Sequence, residues 1–184
     1  MPATERSFSL TGNELPPSRL YVDTDFLIAA LIGSEPNHQR TAAFLERLVE
    51  HGLTTLYMSS LAWLEYSHHI TKERVRRAWP LDIQHRYQLD RWEKPEVRAR
   101  YLEDMHAALA RLLSHFNVEE VNLTEHIREA ARLLMAEYNL KSHDAAHVAT
   151  AFAAEVVDFA SFDSGYRRVD GLYLWNDLIH QPPV

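Results

Sequence analysis

Short apolar runs alternate with helical periods along most of this chain, and that alternation admits few folds. β-Prone runs stand at residues 20–22, 56–58, 116–118, 157–162 and 172–174. Between them, apolar residues recur at helical spacing over residues 26–32, 38–50, 61–72 and 96–114. Gly33 and Gly52 punctuate the first two of these stretches. Thr124 caps a further helix that carries Ile127, Ala131, Leu134, Met135 and Tyr138, and Ser142 caps the next, over residues 143–155. Helices alternating with strands predict a three-layer α/β/α sandwich around a short-stranded, mostly parallel sheet. Residues 1–18 carry Pro2, Gly12, Pro16 and Pro17 without a sustained period and read as a tail or a strap. Residues 19–184 read as a single domain, with a helical insertion around residues 79–100 that is rich in aromatic and charged side chains.

Composition narrows the chemistry. The chain has 184 residues, 46% of them hydrophobic, and a formal charge of −7, enough apolar material for a sizeable core. It has no Cys, which removes disulfides, thiol nucleophiles and cysteine zinc sites. Five glycines cannot spell a Walker loop or a dinucleotide fingerprint here. The apolar run at residues 26–32 is far short of the roughly 20 residues that span a bilayer, so a cytoplasmic protein with no membrane partner is expected. The acidic total does not exclude a phosphodiester substrate, because carboxylates can recruit the cations that phosphate requires.

Four acids sit where an α/β sheet collects ligands. Asp23 follows the first strand and Asp163 the fourth, and loops at the carboxyl ends of strands are the usual binding region. Asp144 opens a helix otherwise built for burial, and Glu65 lies in Leu61-Ala62-Trp63-Leu64-Glu65-Tyr66, where an unpaired charge would be expensive. Each has an ordinary alternative. Asp23 could cap a helix, Asp144 could answer a helix dipole, Asp163 could form a turn, and Glu65 could pair with a histidine.

Taken together, the motifs resemble the PIN-domain ribonucleases and, within them, the VapC-type toxins of toxin–antitoxin pairs. The resemblance rests on Asp23-Thr24-Asp25-Phe26-Leu27, Ser59 with Glu65, His143-Asp144-Ala145-Ala146-His147-Val148-Ala149, and Phe159-Ala160-Ser161-Phe162-Asp163-Ser164-Gly165. It covers residues 19–175 and implies a metal-dependent endoribonuclease with Asp23, Glu65, Asp144 and Asp163 as the acids. Asp25, Thr24 and Ser161 lie inside the matched motifs as secondary candidates. Oxygen ligation suits Mg²⁺ or Mn²⁺. On this reading Asp23 and Asp144 hold the principal ion, Asp163 completes its shell or holds a second, and Glu65 binds through water or orients the attacking water. The products would carry 5′-phosphate and 3′-hydroxyl ends. Lys72, Arg74, Arg76 and Arg77, near Trp79, Tyr87 and Trp92, suit RNA phosphate contact and base stacking. The resemblance also implies a small antitoxin partner and a homodimer.

Three other readings compete. His143 and His147, with Asp163 as third ligand, look like a shortened zinc-peptidase signature. Removing His147 would abolish that activity and is expected to leave a magnesium nuclease largely intact. Asp23-Thr24-Asp25 resembles the opening of phosphatases that use an aspartyl nucleophile, although Phe26 stands where those prefer Gly. A PIN-like RNA-binding scaffold without catalysis is the non-enzymatic reading, and possession of all four acids argues against it. His68, His69, His106, His115 and His126 read as surface or helix-packing residues.

Overall fold

Alternating side chains divide each strand between two apolar layers. Leu20 and Val22 face one cluster while Tyr21 faces the other, and Leu56 and Met58 are separated from Tyr57 in the same way. A computed structural model describes residues 7–78 and 95–176, with only the backbone described over residues 73–78. Its strands are β1 (Ser7–Phe8), β2 (Arg19–Val22), β3 (Thr55–Ser59), β4 (Asn117–Val121), β5 (Asp158–Ala160) and β6 (Tyr173–Trp175). They form one sheet in the order β1-β6-β5-β2-β3-β4, and every pairing among them is parallel.

Helices α1 (Thr24–Leu31), α2 (His38–His51), α3 (Leu61–Ala78) and α4 (Pro95–Leu113) place Phe26, Phe44, Leu48, Tyr66, Ile70 and Leu109 in the first cluster. Helices α5 (Glu125–Tyr138) and α6 (Ser142–Ala153) place Ile127, Ala131, Ala145 and Val148 in the second. The result is helix, sheet, helix. Local chemistry sets the ends. Gly52 closes α2 at φ +68° and returns its N–H to the Leu48 carbonyl at 3.0 Å, a left-handed cap that glycine adopts without strain. The Thr124 hydroxyl accepts the Ile127 N–H at 3.3 Å to open α5. Ser142 does not cap α6: the cap position falls on Lys141, whose side chain makes no capping bond.

Two further elements differ from expectation. β1 was not visible as a strand, yet Ser7 and Phe8 pair with Leu174 and Trp175, and the Phe8 ring stacks on Trp175 at 4.8 Å. Arg47 then clasps the following segment, donating to the Leu10 and Glu14 carbonyls at 2.7 and 2.8 Å, with Leu10 fully buried. Of the insertion expected at 79–100, residues 79–94 lie outside the described residues, and residues 95–100 form the first turns of α4.

The strand order creates the crevice. From β2 the chain builds outward through β3 and β4, then returns to add β5 and β6 on the other side. β2 and β5 are therefore neighbours at the point of reversal, where loops leave in opposite directions and a gap opens. Asp23 leaves β2 there, its N–H donating to the Ala160 carbonyl of β5 at 3.1 Å.

Candidate metal centre

Asp23 is the hub of this gap. Its Oδ1 accepts the Thr24 N–H at 2.6 Å as the cap of α1, and its Oδ2 accepts the Ser161 and Tyr166 hydroxyls at 3.0 and 2.9 Å. Burial, and then the Asp23 charge, raises the Tyr166 pKa well above the ordinary phenol value, so this hydroxyl stays protonated and donates. Asp23 is 6% exposed, and its carboxylate is held in one orientation by Thr24 and by two residues that follow β5. Asp23 thus caps α1 and lines the cavity at once.

Glu65 arrives from α3. Its side chain is 20% exposed, so the α3 surface around it is less buried than an apolar run suggests, and Leu64 beside it lies largely in solvent. Oε2 accepts the Thr24 hydroxyl at 2.7 Å and the His147 Nε2 at 2.6 Å, while Oε1 stands 3.5 Å from Nδ1 of His143. Burial works to raise the Glu65 pKa, but the His147 hydrogen bond and charge outweigh it and hold the carboxyl below its usual value. Thr24, a secondary candidate in the sequence, is thus a clamp on Glu65.

His147 bridges the two acids. Its Nε2 lies 2.6 Å from Glu65 Oε2 and 3.3 Å from Asp23 Oδ1, and its Nδ1 lies 2.9 Å from the Tyr21 hydroxyl. Burial disfavours a charged imidazole, yet Asp23 and Glu65 push its pKa up to about 9. One ligand atom each from Asp23, Glu65 and His147 lie within 4.8 Å of one another, the compact metal-ligating group found among the described residues. The sequence assigns His147 no part in an acid-based site, whereas the structure places its ring against two of the four acids. A signal was available, because Asp144 and His147 are three apart on α6 and therefore share a face.

The other acids face the same cavity of about 620 Å³, which Asp25, Asp144 and Asp163 line together with Asp23, Glu65 and His147. Asp25 Oδ2 accepts the Ser161 hydroxyl and the Phe162 N–H at 3.0 and 2.9 Å, whereas its Oδ1 is buried with no hydrogen-bond partner. Burial and the Asp23 charge raise the Asp25 pKa well above the carboxylate range. Asp144 is raised by burial and then by Asp163, with Lys141 opposing. Asp163 Oδ1 accepts the Gly165 N–H at 2.7 Å, and Oδ2 lies 3.7 Å from the Lys141 ammonium. Ser161 ties Asp23 to Asp25 through one hydroxyl. Lys72 is exposed on α3, and the side chains of Arg74, Arg76 and Arg77 lie outside the described residues.

This donor set suits a hard divalent cation. Asp23, Asp25, Glu65, Asp144 and Asp163 share one cavity, two of them have pKa values raised partly by their neighbours' charge, and one buried oxygen lacks a partner; a cation answers all three. The geometry disfavours the zinc-peptidase rival. His143 and His147 straddle the Glu65 carboxylate instead of forming a zinc triad with Asp163, which is engaged by Gly165 and Lys141.

Comparison with known proteins decides the family. The family model described as "PIN domain" matches residues 20–172. The chain belongs to the PIN domain family. PIN domains are generally metal-dependent nucleases that often bind nucleic acid, and Asp23, Glu65 and His147 of this PIN domain form a group that could hold a metal ion. No curated protein sequence gives a significant match. Among solved structures, the crystal structure of PAE2754 from Pyrobaculum aerophilum is similar to this PIN domain, with 17% identity over 88% of this chain and 86% of that one and a TM-score of 0.49. Among the described residues, no helix of the PIN domain is long and apolar enough to cross a membrane.

Proposed function

We propose that this protein is a Mg²⁺- or Mn²⁺-dependent endoribonuclease that hydrolyses RNA phosphodiester bonds with water, leaving 5′-phosphate and 3′-hydroxyl ends. The observation that supports it most is the convergence of Asp23, Glu65, Asp144 and Asp163 on one cavity from four separate places along the chain. Asp23 and Asp144 would hold the cation, with Asp163 beside them and Glu65 across the gap. When bound, such an ion acidifies water and neutralises charge on the scissile phosphate.

The remaining work falls to the chain. Ser161, Tyr166 and the Thr24 amide fix the Asp23 carboxylate, so its orientation is set before substrate arrives. The Thr24 hydroxyl holds Glu65 Oε2 at 2.7 Å, so that Glu65 would bind the ion, directly or through water, in a fixed orientation. Lys141, 3.7 Å from Asp163, and the exposed Lys72 supply positive charge for the RNA backbone. Arg74, Arg76 and Arg77, which follow Lys72 in the sequence, extend that reading.

The similarity of the motifs to VapC-type toxins supports a growth-arresting role in the cytoplasm, a small antitoxin partner and a homodimer. Incubation of total RNA with wild type and with Asp23→Asn, with and without Mg²⁺ or Mn²⁺, tests the nuclease itself. Metal-dependent cleavage lost in the variant, with 5′-phosphate ends, is the expected result. Ends bearing 2′,3′-cyclic phosphate would contradict water as the nucleophile, and metal titration without Asp23-dependent cleavage would return the protein to the scaffold reading.

A further inference from the structure

The competing zinc-peptidase reading paired His147 with the wrong neighbours, and its position beside Asp23 and Glu65 needs an account of its own. A structural histidine ordinarily satisfies both ring nitrogens within the core. Here Nδ1 meets the Tyr21 hydroxyl at 2.9 Å inside the second apolar layer, and Nε2 alone reaches the cavity, toward Asp23 Oδ1 and Glu65 Oε2. The imidazole is 1% exposed, so its orientation is fixed by packing as well as by these bonds. A metal-ligating histidine has the same layout: one nitrogen on the ion, the other held by an oxygen deeper in the protein, which sets ring orientation and tautomer.

We propose that His147 is itself a metal ligand through Nε2, oriented by Tyr21, and that its nitrogen makes this centre select Mn²⁺ over Mg²⁺. The proposal deepens the nuclease reading and rests on the same cavity. A purely oxygen set discriminates weakly between these two ions, whereas imidazole suits first-row transition ions and Mg²⁺ prefers oxygen. Asp23 and Glu65 supply the oxygens, and the three ligand atoms already lie within 4.8 Å of one another. With the proton of the neutral ring on Nδ1, Tyr21 accepts it and the Nε2 lone pair faces the ion. Tyr21 is then a positioning residue, deep enough that no substrate reaches it.

Pulsed electron paramagnetic resonance of the Mn²⁺-loaded full chain reads the ligand directly, because a coordinated imidazole imprints nitrogen coupling on the ion whether or not RNA is cut. Wild type should show that coupling, and His147→Gln should lose it while Mn²⁺ affinity falls on the order of tenfold or more, beyond any fall for Mg²⁺. His68, His69 and His143 also line the cavity. A variant with all three changed to Gln should keep the coupling, and it decides the matter even if His147→Gln fails to fold. Tyr21→Phe should keep the coupling with weakened Mn²⁺ affinity. Asp23-dependent Mn²⁺ binding with no nitrogen coupling overturns the inference and leaves the nuclease reading standing. Absence of any bound Mn²⁺ overturns both the inference and the metal part of that reading, while coupling without RNA cleavage supports the ligand and sinks the nuclease.

Discussion

At the scale of single residues, the site is a set of carboxylates held ready by neutral donors and one imidazole. Tyr166→Phe removes one of two hydroxyls on Asp23 Oδ2 and leaves Ser161 in place, so the expected cost is about 1 kcal/mol, read as a lower urea midpoint with an unchanged slope. His147 gives a pH dependence to the metal-free protein. Its pKa rises from the ordinary 6.5 to about 9 on folding, so the folded state binds its proton more tightly. The stabilisation is fully present below pH ~6.5 and is lost as pH rises through about 9, roughly 3 kcal/mol in all by linkage. Urea midpoints measured in chelator should fall between pH 6 and 9.5 in wild type and fall distinctly less over that range in His147→Gln. A level wild-type profile would show that the imidazole is not charged in the fold.

At the scale of elements, caps and clasps set the frame that the residues depend on. Thr124→Ala deletes the hydroxyl that accepts the Ile127 N–H and should cost about 1 kcal/mol in thermal or urea unfolding. Arg47→Ala frees the Leu10 and Glu14 carbonyls; amide exchange should rise over residues 7–14 and stay low in β2 and β3. Equal acceleration in the central strands would mean that the clasp supports the whole sheet. The central strands were legible in the sequence because apolar runs of three or four residues, buried on both faces, have few other uses. β1 was not, since two residues alone carry no period and pair only because β6 offers an open edge. α6 was legible through its apolar face, but its cap was misplaced by one residue because a serine there looks like a cap whether or not it bonds.

At the scale of the whole molecule, sheet reversal turns distant acids into neighbours. Asp23 and Asp163 could be placed from the sequence because strand ends in an α/β sheet are known binding positions, and Glu65 because a charge among apolar residues demands a partner. His147 was legible only as a residue on the Asp144 side of α6; which atoms its ring meets follows from packing alone. The partner itself was equally hidden: Tyr21 reads in sequence as one more strand residue, and only its register places the hydroxyl under His147. An anomalous-difference map from crystals of the full chain soaked in Mn²⁺ tests the shared-cation claim most directly. A peak between Asp23 and Glu65, with Asp144 at its edge, is the expected result. A map with no peak there, or with Mn²⁺ bound only at surface acids elsewhere, would contradict it.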